Sequence, residues 1–325
     1  MARHLWTHDQ LVAGIRAGDH RALARAITLV ENHGPGAAEL VSDLYPSTGR
    51  AFSIGITGPP GVGKSSLIAA LVRHVRSLEL SVGVISVDPS SPFTQGALLG
   101  DRIRLVDHFL DPGVFIRSMG TRGHLGGLSE ATLQSLVLLD ASGRDVIFLE
   151  TVGAGQSEVE VMGIADAVVL VLMPGSGDSV QALKAGIMEI PDVIAINKKD
   201  RPGAKSLLND IRAVIALSPD AERQPPIVLT DALREEGIES LWTMVSDMRE
   251  ALAGSGELDQ RRRRNLTAEV VSAATARARV RIEERLAADP SLEALLAGVQ
   301  ERTIDPLTAV DAIVDAVLPN PDHSS

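Results

Sequence analysis

The stretch Ser53-Ile54-Gly55-Ile56-Thr57-Gly58-Pro59-Pro60-Gly61-Val62-Gly63-Lys64-Ser65-Ser66 decides how this chain is read. Its opening residues are apolar and partly β-branched, which predicts a buried strand. Gly58 to Ser65 then fits G-x-x-x-x-G-K-[ST], the pattern of a phosphate-binding P-loop. Leu67, Ile68, Leu71, Val72 and Val75 follow at helical spacing, so strand, loop and helix stand in the order that the motif requires. Glycines let such a loop close on an anion with its N–H groups pointing inward, at a helix N-terminus that already favours negative charge. The expected phosphate contacts are Gly58, Gly61, Val62, Gly63, Lys64, Ser65 and Ser66. Lys64 is expected on the β- and γ-phosphates, and Ser65 on Mg²⁺.

The composition narrows what such a loop can serve. With 325 residues, 45% of them apolar, the chain can bury a large α/β core and smaller additions. No run of about 18 apolar residues predicts a membrane span, and the N-terminus lacks the apolar core of a secretory signal. The absence of cysteine excludes disulfides, thiolate metal sites and cysteine nucleophiles, and fits a cytoplasmic protein. A net charge of −11 and an aromatic content of 2% argue against a nucleic-acid partner.

Along the chain, residues 9–31 read as one amphipathic helix, with Leu11, Ile15, Leu23, Ile27 and Val30 on one face. His33-Gly34-Pro35-Gly36 stops it, and a short helix over 37–44 follows. Strands are expected at 53–57, 81–87, 114–117, 145–149, 167–172, 193–196 and 227–229, alternating with helices. One of those helices should span 129–139 with Ser129 as its N-cap, and another should follow the turn at 174–178. The alternation predicts an α/β fold, a doubly wound and mostly parallel sheet. Gly254-Ser255-Gly256 reads as a linker, followed by a long helix over 258–287 and two shorter ones. The expected divisions are a helical segment over 1–50, a nucleotide domain over 51–253 and a helical arm over 254–325. Arg261 to Arg264 open that arm and read as a solvated or dimer-facing run.

Asn197-Lys198-Lys199-Asp200, at the end of a strand, has the form N-K-x-D that reads guanine. The Asp200 carboxylate can accept from guanine N1–H and N2–H₂, a donor pair that adenine lacks. The Asn197 amide can fix the loop and approach N7 or O6, while the Lys198 stem lies over the purine face. Thr230-Asp231-Ala232 stands where a small loop would bring a backbone N–H, that of Ala232, to O6. Ser-Ala is the usual form there, so Asp231 is a departure. Glu150-Thr151-Val152-Gly153 takes the place of D-x-x-G: Glu150 is expected to hold Mg²⁺, and the Gly153 N–H to meet the γ-phosphate. Asp88 and Asp101 are further acids for the cation, acting through water; an ion pair with Arg102 or Arg104 is the other reading of Asp101. Gln156 stands displaced from the position directly after the motif glycine, which predicts slow intrinsic hydrolysis. Arg117, Arg122 and Lys184 are candidate positive charges, with a solvated surface position as the other reading of each arginine. His124 has no second ligand at metal spacing.

Taken together, these runs resemble one family, the MeaB/ArgK GTPases that accompany adenosylcobalamin-dependent acyl-CoA mutases. The resemblance covers roughly residues 45–240 and is carried by Val87-Asp88-Pro89-Ser90-Ser91-Pro92, Arg117-Ser118-Met119-Gly120-Thr121-Arg122-Gly123, Glu150-Thr151-Val152-Gly153 and Asn197-Lys198-Lys199-Asp200. It implies a homodimeric, Mg²⁺-dependent GTPase that binds GTP and GDP, with the C-terminal arm serving dimerisation. It also implies a partner, methylmalonyl-CoA mutase or a relative, whose cobalamin loading and protection the GTPase governs. By position, 88–101, 153–158 and 175–189 would be three switch segments, with Lys184 as the charged contact of the third. Two alternatives stand beside this: a kinase linked to amino-acid transport, and a metal-delivery GTPase.

Overall fold

The computed structural model describes residues 6–88, 108–120, 125–151, 163–175, 191–216 and 224–317. Three helices come first: α1 (His8–Arg16), α2 (His20–Glu31) and α3 (Ala37–Leu44). They are followed by β1 (Phe52–Thr57), α4 (Lys64–Ser77), β2 (Val82–Asp88), β3 (Val114–Gly120) and α5 (Leu125–Ala141). Next come β4 (Val146–Thr151), β5 (Ala167–Leu172), β6 (Val193–Ile196), α6 (Ala204–Ala216) and β7 (Ile227–Leu229). The chain closes with α7 (Ile238–Ser255), α8 (Glu257–Ala288), α9 (Pro290–Gln300) and α10 (Pro306–Val317).

Among the described residues, seven strands form one sheet in the order β3-β2-β4-β1-β5-β6-β7, and every pairing is parallel. Successive residues of a strand face opposite sides, so a sheet covered on both faces calls for apolar residues on both. These strands are apolar at most positions, with exceptions toward the carboxyl ends such as Ser86 and Asp88 in β2 and Glu150 and Thr151 in β4. Val146 and Phe148 face α4 and α7, whereas Ile147 and Leu149 face α5 and the N-terminal helices. In β5, Val169 and Val171 join the first layer, while Leu170 and Leu172 pack with Leu207, Ile211 and Ile215 of α6. Each such side chain contributes about 1.5–3 kcal/mol of burial. The sheet thereby becomes the rigid base from which its carboxyl-end loops project. β1 stands between β4 and β5, and the strand order reverses across it, which places the loop after β1 at the topological switch point.

Four expectations change. Residues 9–31 are two helices, because Gly18 takes a φ of +73° and Asp19 caps α2 through the N–H groups of Arg21 and Ala22 at 2.7 and 2.9 Å. Ser129 lies inside α5, which starts at Leu125. The two glycines there cost a helix about 1 kcal/mol each, and burial of Ala131, Leu136, Leu138 and Leu139 offsets that. Gly254-Ser255-Gly256 is no linker: α7 runs through Ser255, and Gly256 ends it with a φ of +73° before α8 begins at Glu257. Arg261 and Arg262 are not solvated: Arg261 pairs with Asp192 and Arg262 with Asp166, at 2.8 and 2.7 Å, while Arg263 and Arg264 are exposed.

The chain divides into two compact units, Met1–Thr267 and Ala268–Ser325. In the second, Asp289 and Asp305 cap α9 and α10 by accepting the N–H groups of Ser291 and Leu307 at 3.0 and 3.1 Å. Asp101, Arg122, His124, Gly153, Gln156 and Lys184 lie outside the described residues, as does the helix expected after residue 178.

Candidate nucleotide site

The loop after β1 is built as its sequence requires. Gly58 has a φ of +140°, and a Cβ on it would stand 2.1 Å from the Val171 carbonyl oxygen. Gly63 has a φ of +98°, and a Cβ there would stand 2.6 Å from Asn197 Nδ2. Only glycine meets both demands. Immediately after Gly63, α4 begins at Lys64, so its first N–H groups face the loop. Lys64 is 7% exposed, and its Nζ donates to the carbonyls of Gly58 and Pro59 at 2.6 and 3.3 Å, which holds the ammonium across the loop. Val62 points the other way: its side chain is buried in the core and its carbonyl accepts from Asn197. Gly61 is exposed, and Ser66 is half-buried in the first turn of α4.

A hydroxyl–carboxylate pair adjoins the lysine. Ser65 Oγ donates to Glu150 Oε1 at 2.6 Å, and Ser86 Oγ donates to Glu150 Oε2 at 3.2 Å. Glu150 is 1% exposed. It stands opposite Ile56 of β1 and Ser86 of β2 in the sheet register. Asp88 is the last residue of β2, opposite Gly120; its carboxylate lies outside the described part of the structure. Ser86 escaped the sequence reading. Its signal was a lone hydroxyl among the apolar residues that precede Asp88 in β2, and its role became visible only through the pairing of β2 with β4.

The loop after β6 closes the other side. Asn197 is buried and acts as a strut: Nδ2 donates to the Val62 carbonyl at 2.9 Å, and Oδ1 accepts from the Ala232 N–H at 3.1 Å and from Thr230 Oγ1 at 3.3 Å. The Ala232 N–H, expected on a purine oxygen, is thus engaged with Asn197. Lys198 adopts a left-handed backbone with a φ of +56°. Its Nζ donates to the Gly61 carbonyl at 2.7 Å and approaches Met173 Sδ at 3.4 Å, which lays the aliphatic stem along the loop. Asp200 is exposed and makes no side-chain hydrogen bond among the described residues. The structure therefore gathers Gly58 to Ser66, Glu150, Asn197, Lys198 and Ala232 at the carboxyl ends of the strands.

Arg117 does not join them. Its guanidinium donates to Glu31 at 2.5 Å and to Thr28 at 3.1 Å, both on α2, so it ties the N-terminal helices to β3. Among the described residues no helix is long and apolar enough to cross a membrane.

A family model described as Methylmalonyl Co-A mutase-associated GTPase MeaB matches residues 23–288. A Pyrococcus abyssi protein named as a GTPase is 46% identical over 314 residues, which cover 95% of this chain and 97% of its own. GTPase ArgK of Escherichia coli is 37% identical over 264 residues, covering 78% of this chain and 80% of its own. The crystal structure of an LAO/AO transport system kinase matches with a TM-score of 0.74 and 26% identity, covering 98% of this chain and 99% of its own.

Proposed function

The chain belongs to the MeaB family of methylmalonyl-CoA mutase-associated GTPases, and from that premise we propose that it is a GTP-driven chaperone. It gates cobalamin loading of methylmalonyl-CoA mutase, or of a related acyl-CoA mutase, and protects that enzyme. It works as a cytoplasmic homodimer joined through its C-terminal helices. The observation that carries the reading is the Asn197 strut. One buried side chain bonds the phosphate loop at Val62 and the base loop at Ala232 and Thr230, so the two ends of a guanine nucleotide are read by one connected element.

In this reading the α4 N-terminus, the loop N–H groups and Lys64 hold the β- and γ-phosphates, and Gly153 adds an N–H to the γ-phosphate. Asp200 accepts from guanine N1–H and N2–H₂, and the Lys198 stem covers the purine face. A hard cation suits the all-oxygen pair Ser65–Glu150. Mg²⁺, when bound, supplies positive charge to the phosphate oxygens; Ser65 and Glu150 would hold it, with Asp88 and Asp101 acting through water. Water attacks the γ-phosphate in line, and catalysis consists of positioning and charge neutralisation. Lys184 contributes a positive charge from the third switch segment, and Gln156, displaced from its usual place, leaves intrinsic hydrolysis slow. Release of phosphate changes the switch segments and so the hold on the mutase.

Turnover measured with and without the purified mutase tests this. Acceleration by the mutase together with nucleotide-dependent binding supports it; neither acceleration nor binding sinks the chaperone reading. The name of the solved relative favours one rival, a kinase. Label from γ-labelled GTP appearing on a protein rather than as free phosphate would establish that rival instead.

A further inference from the structure

The loop after β7 carries an acidic residue, Asp231, that neither phosphate chemistry nor base reading accounts for. Its side chain is 8% exposed. Oδ1 accepts from the N–H groups of Leu233 and Arg234 at 3.0 and 3.2 Å, and Oδ2 lies 3.5 Å from the exposed Arg234 guanidinium. The Asp231 backbone exchanges two hydrogen bonds with Glu236, at 2.9 and 3.1 Å. Two surface pairs, Arg73 with Glu235 and Lys199 with Glu236, hold the far side of the turn. Gly237 closes it where a Cβ would stand 2.2 Å from the Leu229 carbonyl oxygen. The residue enclosed by this turn is Ala232, whose N–H meets Asn197 Oδ1.

We propose that Asp231 is a positioning residue for guanine-nucleotide binding. By accepting two N–H groups from its own loop, it folds the 231–236 turn so that Ala232 presents its N–H to Asn197. Asn197 in turn holds the Val62 carbonyl of the phosphate loop. Asp231 touches no nucleotide; it sets the conformation of the strut that both halves of the site share. A side-chain acceptor of this kind fixes a turn without help from the rest of the chain. It therefore replaces the small hydroxyl residue usual at this position by a stronger, charged acceptor.

The proposal rests on the guanine-nucleotide reading, so binding of GDP and ADP to the wild-type protein comes first. Failure to prefer GDP would count against that reading itself, independently of Asp231. With the preference in hand, Asp231→Ala should raise the Kd of GDP and of GTP alike by about tenfold. The turnover number at saturating GTP should move much less, because bound nucleotide restores the loop. Asp231→Asn keeps an oxygen that accepts the same two N–H groups, and should stay within about twofold of wild type. Wild-type affinity in Asp231→Ala overturns the role, and so does an Asp231→Asn variant as weak as alanine. Hydrogen exchange of the full wild-type chain gives a test that needs no variant. The Leu233 and Arg234 amides should be as protected as those of Asp231 and Glu236, and exchange at free-loop rates would refute the capped turn.

Discussion

Replacing Asn197 by alanine separates a strut from a reader. The change removes three hydrogen bonds, to the Val62 carbonyl, the Ala232 N–H and the Thr230 hydroxyl. A net bond is worth roughly 1 kcal/mol, and a buried donor or acceptor left alone costs about 1–3 kcal/mol. Ala232 and Thr230 are 8% and 0% exposed, so water cannot readily replace the lost partner. The expected destabilisation is about 3–4 kcal/mol. In a domain of this size that lowers Tm by roughly 6–15 °C. Thermal unfolding followed by circular dichroism, without nucleotide so that ligand linkage does not enter, measures it. Asp200→Asn is the contrast. Asp200 is exposed and makes no side-chain hydrogen bond among the described residues, so its variant should melt within about 0.5 kcal/mol of wild type. Its effect should fall on the base. An amide offers one donor and one acceptor, so guanine affinity should drop about 100-fold or more, and xanthine, which has a matching donor and acceptor, should gain. If Asn197→Ala melts within about 2 °C of wild type, or Asp200→Asn loses as much stability, the division of labour between the two residues is wrong.

Three further outcomes are expected. Glu150→Gln keeps an acceptor for Ser65 Oγ but loses the charge, so nucleotide binding should survive while turnover falls about 100-fold and the Mg²⁺ requirement rises; a titration of turnover against Mg²⁺ checks both. Arg262→Met should cost about 2–4 kcal/mol in denaturant unfolding, because Asp166 is left buried, and adding Asp166→Asn should recover part of that loss; full additivity of the two would refute the pairing. Asp111 is held below the usual carboxylate range, first by its hydrogen bonds from Arg76, against burial, and further by the Gly113 N–H. Its contribution is therefore complete above the unfolded carboxylate pKa of about 3.9 and fades as pH falls through the lower folded value. Asp111→Asn should cost about 2 kcal/mol at pH 7 and progressively less below pH 4; a cost independent of pH from 7 to 2 would contradict this.

The parts legible in the sequence are those set by neighbours in sequence. Gly58 to Ser65 combines a strand, a loop and a helix start within one short run, and the φ demands at Gly58 and Gly63 are local. The strands could be found because double burial leaves few polar positions in them: β5 is apolar throughout, and in β4 only the last two residues, Glu150 and Thr151, are polar. What stayed hidden depends on register and on distant partners. Ser86 meets Glu150 only because β2 pairs with β4 in one particular alignment. Arg261 and Arg262 looked like a solvated basic run because their carboxylates, Asp192 and Asp166, come from the starts of two separate strands. The break in residues 9–31 was present in Gly18-Asp19, a positive-φ residue and an N-cap, but the apolar period runs through it and hid the stop. Gly254-Ser255-Gly256 misled by composition, since a single left-handed glycine can join two helices without a linker.

The strut also bears on how this protein tells nucleotides apart. Both polar ends of the Asn197 amide hold the protein, and Lys198 is anchored at the Gly61 carbonyl. A nucleotide with the wrong base would therefore find the phosphate loop and the base loop already assembled. It would lose the Asp200 bonds alone. Discrimination should then appear as a difference in affinity, carried by one exposed carboxylate, and not as a failure of the site to form. In the proposed reading Lys64 and the Ser65–Glu150 pair serve the triphosphate and have no part in reading the base. It follows that ATP at a concentration high enough to overcome the missing Asp200 bonds should be hydrolysed with a turnover number near that of GTP. A large gap in turnover number at saturation, with little gap in affinity, would mean that base reading reaches the γ-phosphate through some route other than Asn197.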